Sequence, residues 1–142
     1  MWVLDPANSS ELLHRLRPHS LDPQFEVIWC GEGWRSLVSD CDDQLRLAFP
    51  DYRFTHIEQE HGELVVAAQP RAGEFSEPEQ ELVDDVTRRC REQSRMVCEW
   101  CGRDGSTRRL SDARGRQEAV TVCDQCQEDL QTLPYPTSRP VN

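Results

Sequence analysis

Two short stretches near the C-terminus, CEWCG (98–102) and CDQC (123–126), decide how this chain is read. Each holds a Cys-x-x-Cys pair. One such pair is compatible with either redox chemistry or metal binding. Two pairs, with 21 residues between Cys101 and Cys123, match the spacing at which four thiolates close a tetrahedral zinc site. Gly102 follows the first pair, where a knuckle needs permissive backbone so that amide groups can turn toward the sulfurs. Between the pairs, STRRL and EAVTV predict a hairpin across the polar segment SDARGRQ. CDQCQEDLQTL then sets the second pair at the head of a short helix, whose positive dipole end favours thiolate. Knuckle, hairpin and helix in that order predict a treble-clef finger, with a simpler zinc ribbon as the alternative.

The expected ligands are Cys98, Cys101, Cys123 and Cys126, holding one structural Zn2+ per chain. Four protein thiolates leave no open coordination position, so the ion shapes the chain and does not activate water. The cage carries a formal charge of −2, and Arg103, Arg108 and Arg109 are the nearby cations expected to soften it. Cys30, Cys41 and Cys90 read as buried small hydrophobes. Seven cysteines, an odd number, argue against a disulfide framework, and the N-terminus lacks the pattern of a secretory signal. Both features lead to the expectation of a reducing, cytoplasmic setting. No apolar run approaches the roughly 18 residues that a membrane-spanning helix needs.

Upstream, residues 1–95 predict an acidic α+β body. Leu12, Leu13 and Leu16 mark a helix over about 10–17, begun by a Ser cap and stopped at Pro18. FEVIWC (25–30) reads as a buried strand. Trp34, Leu37, Val38, Cys41 and Leu45 recur at helical spacing over about 33–48. YRFTHIEQE and ELVVAAQ flank His61 and Gly62 as an antiparallel hairpin over about 52–69, although alternation leaves the core-facing side of its first strand open. Ser76 with Glu79 forms a capping box for a helix over about 77–95 that carries Leu82, Val83, Val86 and Cys90 on one face. The finger module then occupies 96–133, and PYPTSRPVN (134–142) reads as a flexible tail.

The net charge of −10 is uneven, with 18 acids against 8 arginines over residues 1–90 and 8 against 8 over 91–142. An acidic body repels a phosphate backbone and attracts a basic protein surface. All four histidines precede the cysteine pairs, which removes the His-containing motif that nucleases built on such fingers require. His56 and His61, with Glu58, Glu60 and Glu63, invite a second metal or acid–base site, but strand alternation favours a solvated hairpin end. No phosphate-binding glycine loop or nucleophile elbow is present, so no enzymatic activity is expected.

GWRSLV (33–38), IEQEHGELVV (57–66), CEWCG and VCDQC together resemble a family of small, mostly uncharacterised bacterial and phage-borne proteins. In these a GW-helix precedes a β-hairpin and a C-terminal four-cysteine finger. Relatives carry a basic, aromatic hairpin where this chain has acids and His61. The resemblance implies the same architecture, a small helix and hairpin body followed by a zinc finger, and carries no activity with it. The expected role is a protein-interaction module meeting a protein partner of unknown identity, of the immunity or anti-defence inhibitor type. Nucleic-acid binding through the finger's arginines is the alternative, and net charge disfavours it. Candidate interaction residues are Trp29, Trp34, Trp100, Arg103, Arg108 and Arg109.

Overall fold

The computed structural model describes residues 3–111 and 114–132, and the predicted tail at 134–142 lies outside them. The chain is α+β, with four helices and two sheets among the described residues. A four-stranded sheet takes the order β1 (Val3–Leu4), β2 (Ile28–Gly31), β3 (Arg53–Glu60), β4 (Glu63–Gln69). β1 and β2 run antiparallel, β2 and β3 parallel, and β3 and β4 antiparallel. Between them come helices α1 (Pro6–Leu16) and α2 (Arg35–Ala48), then α3 (Glu77–Ser94) follows the sheet. A separate two-stranded ladder, β5 (Ser106–Ser111) with β6 (Gln117–Val122), and helix α4 (Asp124–Thr132) complete the chain.

α1 begins earlier than the expected Ser10. Asp5 is its cap, accepting from the backbone N–H groups of Ala7 and Asn8, while Asn8 reaches back to the Asp5 N–H. Pro6 stands at the first helical position, where its missing N–H forfeits no intrahelical hydrogen bond. The helix kinks at Ser9, whose φ of −141° and ψ of 35° are non-helical, so Ser10 marks the resumption of the helix. α3 begins as its capping box predicts, with Ser76 Oγ accepting from Glu79 N–H and the Glu79 carboxylate accepting from Ser76 N–H. Val83, Val86 and Cys90 are buried, but Leu82, expected on the same stripe, is on the outer side and 45% exposed.

The β3–β4 hairpin turns at His61 and Gly62, with φ of 52° and 81°. Two consecutive positive φ values define the tight turn whose twist matches its strands, and glycine supplies the second at no steric cost. The uncertain alternation of β3 has a physical cause. Phe54 pairs with Ala68 and His56 with Ala67, so Thr55 is an extra residue bulging from the ladder. The bulge resets the period and lets Phe54 and Ile57 both reach the core. Above the sheet, α1, α2 and α3 close an apolar core around Trp34, Leu45, Tyr52 and Leu64. Cys30, Cys41 and Cys90 lie within it as expected. Asp42 of α2 is buried beside these groups: it accepts from Tyr52 Oη at 2.5 Å and pairs with Arg46 and Arg15.

Candidate metal centre

The site is built by the turn that follows α3. The helix ends at Ser94, and Val97 forms an isolated bridge with Asp104, so the chain folds back on itself across the first cysteine pair. Within that fold Cys98 N–H donates to Arg103 C=O at 2.7 Å and Gly102 N–H donates to Cys98 C=O at 2.9 Å. Gly102 sits at φ of 79°, the left-handed conformation that its place in the knuckle predicts. β5 and β6 pair without interruption from Ser106↔Val122 to Ser111↔Gln117, which returns the chain to Cys123 beside the knuckle. α4 then places Cys126 one turn on.

The ligand atoms of Cys98, Cys101, Cys123 and Cys126 all lie within 4.8 Å of one another. The Sγ atoms of Cys101 and Cys123 are 3.7 Å apart. Cys98 is fully buried, Cys123 and Cys126 are half-buried and Cys101 is exposed, so the cage opens at one edge of the molecule. Cys126 N–H donates to Cys123 Sγ at 3.4 Å, and this bond pulls the Cys123 thiol down to about 7. Burial pushes the Cys101 and Cys126 thiols up, with an Arg103 backbone N–H opposing the rise at Cys101. These four thiols could hold a divalent ion, which would favour their thiolate forms over the protonated ones.

Around the cage, Trp100 packs against the small cluster of Cys98, Val120 and Val122, as a lid over a metal site would. Arg108 donates to Gln127 and pairs with Asp124 at the head of α4, at 2.7 Å. Its charge is committed to the helix start. Arg103 and Arg109 are exposed. Trp29 is half-buried, whereas Trp34 is completely buried and its Nε1 donates to Val97 C=O at 2.8 Å. Trp34 therefore offers no surface to a partner, contrary to the expectation from sequence: it fastens the body to the knuckle from within.

The sequence reading missed how tightly the knuckle docks on the body. Gly33 N–H donates to Glu99 C=O at 2.7 Å, and Gly31 N–H donates to Glu99 Oε1 at 3.0 Å. A Cβ on Gly31 would meet Glu99 O at 2.2 Å, and one on Gly33 would meet Cys98 O at 2.2 Å and Gly102 N at 2.6 Å. Neither glycine has a positive φ, so what they supply is space for one backbone to lie on another. The GEG spacing just before Trp34 was the available signal. Glu99 is 1% exposed, and burial pushes its carboxyl up to about 8 against the opposing bond from Gly31. Two further bonds join the hairpin of the body to β6, from Thr121 Oγ1 to Gly62 C=O at 2.6 Å and from Gln59 Nε2 to Ala119 C=O at 3.1 Å.

No protein-family model, curated protein or solved structure matches the chain. Among the described residues, no helix is long and apolar enough to cross a membrane.

Proposed function

We propose that the chain is a non-catalytic, zinc-stapled protein-interaction module whose acidic body meets a protein partner. The observation that carries the metal half of this reading is the convergence of four sulfurs within 4.8 Å of one another, with those of Cys101 and Cys123 3.7 Å apart. Zinc–sulfur bonds of about 2.3 Å in a tetrahedron require sulfur–sulfur edges of about 3.8 Å. A redox pair does not need four thiols at such edges. With four thiolates in place the ion is saturated, which supports a structural role. Because the second pair leads directly into α4, we read the finger as a treble clef in preference to a ribbon.

The partner half rests on charge. The excess of acids lies in residues 1–90, and in the finger Arg108 is held by Asp124, which weakens a continuous phosphate track. A basic protein surface is the chemistry that this field attracts. Immunity-type or anti-defence inhibition of such a target, in a bacterial or prophage setting and a reducing cytoplasm, is the role most consistent with a small acidic body on a stapled finger. Affinity capture from a bacterial host with zinc-loaded protein tests it: a specific, salt-sensitive protein partner is expected. Binding of duplex or single-stranded nucleic acid in a low-salt gel shift, without a protein partner, overturns it.

A further inference from the structure

The bulge at Thr55 has a second effect. After it, His56, Glu58 and Glu60 fall at alternate positions of β3 and share the face opposite to Ile57. Alternate residues on a strand are separated by about 6.6 Å of backbone, yet ligand atoms of these three side chains lie within 4.8 Å of one another. The side chains therefore lean together. His61, expected as a possible member of the same group, belongs to the turn and is not among the converging residues.

We propose that His56, Glu58 and Glu60 bind a divalent first-row transition metal ion, at a site distinct from the cysteine cage. One imidazole nitrogen and two carboxylates bring a formal charge of −2, which a divalent ion neutralises. The mixed nitrogen and oxygen donors suit Co2+, Ni2+, Zn2+ or Fe2+ better than Ca2+ or Mg2+, which favour all-oxygen shells. Glu58 is only 8% exposed. Thr55 Oγ1 lies 3.3 Å from His56 Nδ1, so ligation through Nε2 preserves that contact. Trp29, the register partner of Glu58 on β2, lines a cavity of about 320 Å³ with His56, Glu58, Asp22 and Glu26. The cavity gives an ion and its waters a route to the strand, and its further carboxylates favour cation entry. Three protein donors leave the remaining coordination positions to water.

The test adds Co2+ to protein whose cysteine cage is already filled with zinc, followed by calorimetry and visible absorption. One further equivalent per chain is expected, with the weak bands of a nitrogen–oxygen shell and no sulfur-to-cobalt charge transfer. The double variant His56→Ala/Glu60→Gln is expected to weaken that binding at least tenfold, while elemental analysis still finds one zinc per chain. Because Glu60 is exposed, Glu60→Gln alone serves if the double variant loses its native circular dichroism, and at least threefold weakening is expected. Absence of saturable binding overturns the proposal, as does equal binding by the variants. Charge-transfer bands alone would place the cobalt at the cysteines and also overturn it. A cage that holds no zinc would sink the finger reading by itself, because the weak bands report on the β3 site independently.

Discussion

The body and the finger are held together by different physics. Among the described residues of the body, eighteen buried ones form one continuous apolar cluster spanning α1, α2, α3 and the four-stranded sheet. Among the described residues, the corresponding cluster in the finger is Cys98, Val120 and Val122, with Trp100, Leu110 and Leu130 partly buried against it. Fully burying an apolar side chain contributes about 1.5–3 kcal/mol, so a cluster this small falls short of the roughly 1–2 kcal/mol per residue that ordering a hairpin and a helix costs. A four-thiolate metal site in a small finger contributes about 10–16 kcal/mol. The difference teaches that, on the proposed reading, the last third of this chain takes its fold from coordination and is fixed to the rest through backbone contact at Gly31 and Gly33.

The sharpest way to break the comparison is to remove a ligand. Cys98→Ser places a hydroxyl at a fully buried sulfur position, and the finger is expected to lose its metal and its order. Metal content per chain should fall to a small fraction of the parent's, and limited proteolysis should cut between 106 and 122 while 35–69 stays protected. Gly33→Ala acts on the joint. With a Cβ position 2.2 Å from Cys98 O, backbone must shift, and a destabilisation of about 3 kcal/mol is expected in denaturant unfolding, with metal still bound. Loss of metal in that variant would show that docking and coordination are a single event.

A smaller effect separates the regions by proton count. Burial raises the Cys101 and Cys126 thiols, so both hold protons when no ion is present, and metal uptake must release protons. The calorimetric enthalpy of zinc binding is therefore expected to vary with the ionisation enthalpy of the buffer, and affinity is expected to fall as pH falls. The body's far-ultraviolet circular dichroism should change little over the same range. Smallest of all is Glu99→Gln. The amide keeps an acceptor for Gly31 N–H and leaves the position of the unbonded Oε2 equally without a partner, so thermal unfolding should shift by less than about 1 kcal/mol.

Much of this architecture was legible because local chemistry and global fold agree. Ser76 with Glu79, the periodic stripe from Trp34 to Leu45, His61 with Gly62, and the two cysteine pairs each state their structure within a few residues. What was not legible depends on distant partners. β1 is two residues long and exists because β2 pairs with it, and the parallel pairing of β2 with β3 joins segments too far apart for any short pattern to report. Asp42 looks like any helical surface acid until Tyr52, Arg15 and Arg46 are seen around it. The bulge at Thr55 hid both the core face of β3 and the convergence of His56 with Glu58 and Glu60. At the site, all four predicted cysteine ligands meet, whereas Trp34 proved to be a buried fastener and Arg108 the partner of Asp124.

Hydrogen exchange on the intact protein, before and after a chelator strips the metal, tests the division between the two regions most directly. Slow exchange should persist in α2 and in the β3–β4 hairpin, while amides of β5, β6 and α4 lose protection by several orders of magnitude. Unchanged protection in β5 and β6 without metal would contradict the account, and so would simultaneous loss across the whole chain.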